Sequence, residues 1–135
     1  MTKTVLNPAT LAKPSGYANG ILAQGDRLLF LAGQTGADAT GKIVAPAPDI
    51  VSQFRQALAN LKAVVEAAGA QMTDVVKMTI FVTSKTHYQA NAKTIGEVYR
   101  SFFGKYYPAL TLVEVKGLWD AEAMVEIEAI AVLER

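Results

Sequence analysis

Val125-Glu126-Ile127-Glu128-Ala129-Ile130-Ala131-Val132-Leu133 reads as a strand with two faces to bury. Successive side chains of a strand point to opposite faces. Val125, Ile127, Ala129, Ala131 and Leu133 therefore share one face, which is wholly apolar. The other begins with Glu126 and Glu128 and continues with Ile130 and Val132. The β-branched run at 75–82 repeats the theme. Val76, Met78, Ile80 and Val82 form an apolar set, while Val75 and Phe81 flank Lys77 and Thr79 on the other side. A sheet made of such strands is substantially apolar on both faces.

Working outward, residues 21–24 and 28–32 read as strands joined by a tight turn at Gly25-Asp26, and 109–115 as a further strand before the closing one. Residues 33–48 carry three glycines and two prolines and read as a loop. Ile50, Phe54, Ala57, Leu58, Leu61, Val64 and Val65 recur at helical spacing, with Asp49 as N-cap and Gly69 at the C-terminal end. Tyr88, Ile95, Val98, Tyr99, Phe102 and Phe103 mark the apolar side of a second helix, which Gly104 ends. This is an α+β pattern in a single domain spanning 1–135. Two helices cover one face of a five- or six-stranded sheet, and the bare apolar face predicts another subunit, because monomers rarely expose patches that large.

Composition narrows the function. The chain has 13 basic and 12 acidic residues among 135, so no bulk charge favours nucleic acid or a membrane surface. The absence of cysteine removes disulfides, thiolate nucleophiles and zinc-thiolate sites. The N-terminal residues lack the apolar core of a signal peptide and no run reaches membrane-spanning length, so a cytoplasmic protein is expected. Gly36-Ala37-Asp38-Ala39-Thr40-Gly41-Lys42 has P-loop spacing, but Ile43 stands where the metal-binding hydroxyl belongs, and Pro46 and Pro48 stop a helix from following at once. His87 is the sole histidine; it supplies no metal site alone and suits a capping or surface role at a helix start. Trp119, in the loop before the last strand, either lids a pocket or covers the core.

Longer segments carry a resemblance. Gly16-Tyr17, Ala32-Gly33-Gln34-Thr35-Gly36, the helix from Gln56 to Gly69, Val75-Val76-Lys77-Met78-Thr79-Ile80-Phe81-Val82, Pro108-Ala109, Val113-Glu114-Val115 and Val125-Glu126-Ile127-Glu128-Ala129-Ile130-Ala131 together resemble the YjgF/RidA family, in the family's order and over nearly the whole chain. The resemblance implies a chorismate-mutase-like mixed sheet with two helices on one face. It also implies a homotrimer built around a barrel, with ligand clefts between subunits. Deaminase-type members hydrolyse reactive enamines and imines to keto acids and ammonia without a cofactor. Carried over by position, Tyr17 matches the cleft tyrosine, Gly33 the glycine whose backbone meets the ligand, with Gln34 beside it, and Glu126 the acid that positions or protonates water. The alternative for Glu126 is an ion pair between subunits.

The pattern breaks at other positions. Leu110 stands where the family's carboxylate-gripping arginine follows Pro-Ala, Ala32 where a serine precedes Gly-Gln, Leu112 where a cysteine belongs and Gly96 where a helix asparagine belongs. Losing one half of a buried charge-assisted contact costs about 2–5 kcal/mol. No replacement for the guanidinium is expected, since Lys116 lies six residues along the strand, about 20 Å away; intrusion of Lys105 or Arg100 from an adjoining subunit is the one route the sequence leaves open. The expected activity is an enamine/imine deaminase-like hydrolase whose substrate is larger or less polar than the family's usual imino acids. The rival readings are a non-catalytic trimer that binds a small hydrophobic metabolite or acts as a holdase, and a ribonuclease, which the lack of a histidine pair and the near-neutral charge disfavour.

Overall fold

The computed structural model describes residues 2–134. Strands β1 (Thr2–Leu6), β2 (Gly20–Gln24) and β3 (Arg27–Thr35) precede helix α1 (Ile50–Ala67). A 3-10 turn at Met72–Asp74 leads into β4 (Val75–Val82). Helices α2 (Lys85–Ala90) and α3 (Ala92–Phe103) follow, then β5 (Ala109–Glu114) and β6 (Val125–Leu133). The main sheet has the order β3-β6-β4-β5, with β6 antiparallel to both neighbours and β4 parallel to β5. It is a mixed α+β architecture, as expected.

The helices form where periodicity and caps coincide. The Asp49 carboxylate accepts from the Ser52 amide at 3.0 Å, and Gly69 takes φ +74° just beyond the end of α1. Ile50, Phe54, Ala57, Leu58, Leu61 and Val65 of α1 are buried against Met78, Ile80, Ile127 and Ala129 of the sheet. Ile95, Val98, Tyr99 and Phe103 add the buried side of α3.

Three sequence expectations need correction. The second helix is broken at Asn91, which closes α2 and opens α3, so three helical segments stand where two were expected. In β4 a register shift between Val75 and Lys77 inserts a residue into the alternation. Val75 therefore joins Met78, Ile80 and Val82 in the core and Val76 is only half-buried, the reverse of strict alternation. The Gly25-Asp26 turn does not close a β2–β3 ladder: β1 and β2 form their own two-stranded sheet, and the main sheet has four strands. A Cβ at Gly25 would lie 2.8 Å from Val132 Cγ1 and 2.9 Å from the Leu133 carbonyl oxygen. The chain is thus pressed against the end of β6 there. The Ala18 amide donates to the Pro108 carbonyl at 2.9 Å, and Lys3 stands 3.8 Å over the Tyr106 ring, which anchors the N-terminal hairpin near the start of β5.

The face opposite α1 and α3 remains bare in the single chain. Leu28 and Phe30 are 60% and 69% exposed there, far above what a monomer's core strand shows.

Candidate functional site

The β-bulge in β3 builds the first part of the site. Leu31 pairs with Ala129 and Gln34 with Ile127, so three steps on β3 match two on β6, and Ala32-Gly33 carries the excess. The Glu126 carboxylate folds over this bulge. A Cβ at position 33 would lie 2.1 Å from Glu126 Oε2 and 2.9 Å from its Cδ, so only glycine leaves room for the acid. Glu126 is half-buried, and no side-chain hydrogen bond engages it among the described residues. It pairs across the sheet with Phe81, while Glu128 pairs with Thr79, which places both acids on the bare face. A concavity of about 550 Å³ lies on that face, lined by Phe30, Ala32, Lys77, Thr79, Glu128 and Ile130.

The second part lies across the sheet. Leu110 and Leu112 pair with Met78 and Ile80 and so face the helices. Leu110 and Gly96 line one pocket of about 320 Å³, together with Phe54, Tyr88, Tyr99, Arg100 and Tyr107, with Ser15 and Gly16 at its lip. Aromatic packing fixes its walls. Tyr99 stacks on Tyr107 at 5.0 Å between ring centroids, and Phe54 meets Tyr88 edge-on at 6.4 Å. The Tyr99 hydroxyl donates to the Tyr106 carbonyl at 2.6 Å. Burial holds the Tyr88 phenol above its ordinary pKa, so it remains a neutral donor at the pocket wall.

The sequence-derived residues therefore fall into two groups in the single chain. Gly33 and Glu126 meet on the bare face with Ala32 beside them, whereas the half-buried Gln34 pairs with the core residue Ile127 and so faces the helices. Gly96, Leu110 and Leu112 lie on the helix side. Tyr17 stands between Gly16 at the pocket lip and the buried Ala18. Trp119 is fully exposed, so it does not cover the core of its own chain. His87 is exposed, and its ring and amide both engage Ser84, the N-cap of α2. Among the described residues no metal-binding cluster of His, Asp and Glu forms.

One residue of the pocket was missed by sequence reasoning, which left Arg100 open only as an intruder from an adjoining subunit: it lines the pocket beside Leu110 of its own chain. Its guanidinium lies over Gly96: a Cβ there would be 3.2 Å from Nη1. Positions four apart are neighbours on a helix surface, but that spacing alone does not say which way the arginine turns. The wall residue Tyr99 reads in sequence only as part of an apolar helix face, because nothing in an aromatic residue's spacing tells a core from a pocket wall.

Comparison with known proteins adds lineage. The family model described as Endoribonuclease L-PSP matches residues 9–133. A RutC family protein of Pyrococcus horikoshii is 41% identical over 131 residues, covering 96% of this chain and 97% of that protein. The 2-iminobutanoate/2-iminopropanoate deaminase of Salmonella typhimurium is 36% identical over 135 residues, covering 98% of each. A crystal structure of a Rid family protein of unknown function from Yersinia pestis superposes with a TM-score of 0.86 at 34% identity, covering 98% of this chain and all of that one.

Proposed function

The chain belongs to the YjgF/RidA family, whose model bears the description Endoribonuclease L-PSP, and from that premise we propose that it is a cofactor-independent enamine/imine deaminase-like hydrolase acting on larger or less polar substrates in a cleft between subunits of a homotrimer. The reaction is R–C(=NH)–COO⁻ + H₂O giving R–CO–COO⁻ + NH₃. The water oxygen bonds to the imine carbon, its protons pass to nitrogen, and the C–N bond breaks to release ammonia. An enamine first takes a proton on carbon to become the imine.

The observation that carries this reading is the Glu126 carboxylate, which has no hydrogen-bond or ion-pair partner among the described residues and is seated over Gly33 in the bulge. An unpaired acid at that place can take a proton from water and return it to nitrogen. Because Glu126 and the Leu110 pocket occupy opposite faces of one sheet, a shared ligand requires a second copy on the bare face. Exposed Leu28 and Phe30 favour that packing. The aromatic walls and the apolar or small residues at 32, 96, 110 and 112 favour a larger, less polar substrate body. RNA cleavage is disfavoured, since the sole histidine is engaged with Ser84 and lines neither cavity.

The test is ammonia release across freshly generated imines and enamines, with and without carboxylates, by the wild type and by Glu126→Gln. Turnover is expected from the wild type and none from the variant, with identical sedimentation of the two. No ammonia from any substrate would support the non-catalytic binder instead.

A further inference from the structure

The pocket on the helix side holds a cation that the strand lacks. Arg100 follows Gly96 by about one turn of α3, and the missing side chain at 96 leaves bare backbone over which the guanidinium folds. A Cβ at 96 would meet Nη1 at 3.2 Å, Nη2 at 3.8 Å and Cζ at 3.9 Å. No acid lines the pocket, and no hydrogen bond or ion pair engages this guanidinium among the described residues. The charge is therefore uncompensated at the mouth of a cavity whose other walls are Phe54, Tyr88, Tyr99, Tyr107 and Leu110. A glycine inside a helix costs about 1 kcal/mol against alanine; here it gives the arginine its path inward.

We infer that Arg100 is the carboxylate-binding residue of this chain, admitted by Gly96, and that the substrates are 2-imino acids with an aromatic or bulky apolar body. The imine part of this statement rests on the deaminase reading; the anion site does not. A guanidinium presents two parallel N–H donors that match a carboxylate. Leu110 forms an apolar floor where a strand-borne cation would compete for the same anion, and the tyrosine and phenylalanine rings offer stacking surfaces to a ring-bearing body. Gly96 and Arg100 thus act as one device. The glycine sets the position of the charge, and the charge selects the ligand.

The probes are 3-phenylpropanoate and its uncharged analogue 3-phenylpropanamide, titrated calorimetrically against the full chain. The wild type is expected to bind the carboxylate about tenfold more tightly than the amide, the low end for a charged hydrogen bond at an exposed residue. Arg100→Gln should level the two affinities, and because Arg100 is exposed the fold should survive it. Gly96→Asn should also level them by pushing the guanidinium aside. Equal affinity for both probes in the wild type, no measurable binding of the carboxylate at millimolar concentration, or a carboxylate preference that persists in Arg100→Gln would each overturn the inference. A parallel assay follows ammonia release from the imine of phenylpyruvate. Carboxylate preference without turnover would sink the deaminase reading and leave the anion site standing. Turnover with the same KM in wild type and Arg100→Gln would sink the anion site and leave the deaminase reading standing.

Discussion

Gly33→Ala should inactivate the protein while hardly changing its stability. The alanine Cβ would be placed 2.1 Å from Glu126 Oε2, 2.9 Å from Cδ and 3.0 Å from Cγ, against ordinary contacts of about 3.5–4.0 Å. The carboxylate must therefore retreat by more than an ångström. It can do so, because what moves is the end of a flexible side chain rather than backbone. Gly33 is not among the glycines with positive φ, so alanine meets no left-handed strain, and its stiffer unfolded chain offsets part of any lost contact. The stability change should stay within about 1 kcal/mol. Displacing a catalytic group by about 1 Å costs roughly a hundredfold in rate, which corresponds to about 2.7 kcal/mol of transition-state stabilisation. Ammonia release measured beside urea unfolding separates the two effects. Gly36→Ala is the contrast: its Cβ would strike the Gln53 backbone, with Cα at 2.7 Å and the carbonyl oxygen at 2.9 Å, where neither atom can swing away, so it should lose stability first. Full activity in Gly33→Ala would show that the position of Glu126 does not matter and would remove it from the chemistry.

Other outcomes follow from the same geometry. Gln53 is fully buried, donates to the Ala45 and Glu122 carbonyls at 2.7 and 2.9 Å and accepts from the Met124 amide at 2.7 Å. Gln53→Leu orphans all three backbone groups and should cost about 3 kcal/mol or more in urea unfolding; a loss under 1 kcal/mol would show that water replaces them. Burial, followed by the charge of Asp74, pushes the Tyr106 phenol up to about 12, and burial also raises Tyr99. Folding therefore favours the protonated phenols. Their contribution is complete below the unfolded value near 10 and is lost as pH climbs from about 10 towards 12, so thermal unfolding scans should fall across that window, more gently in Tyr106→Phe. Phe30→Glu, on the bare face, should convert the proposed homotrimer to monomers in sedimentation velocity; a wild type that sediments as a monomer at micromolar concentration would refute the assembly outright.

The periodic parts of this molecule were legible in the chain alone. The spacing of Ile50, Phe54, Leu58, Leu61 and Val65 dictates a buried helix face whatever lies opposite, and Asp49 and Gly69 mark its ends by chemistry local to the backbone. The two-sided strand from Val125 likewise announced a face that its own helices leave bare. Local rules failed where distant segments decide. The bulges at Val75–Lys77 and Leu31–Gln34 reset which side chains enter the core, and a bulge is a property of a strand pair rather than of either strand. The Gly25 turn packs against the end of β6 instead of closing a hairpin because Val132 and Leu133, over a hundred residues away, occupy its flank. The candidate site divides in the same way. Tyr17, Gly33 and Glu126 were identifiable by residue type and order, but the union of Gly33 with Glu126 and of Gly96 with Arg100 was not. The first needs a register across two strands. The second needs the fold of a long, rotatable side chain back over a helix, chosen by the cavity it enters rather than by the residues beside it in sequence.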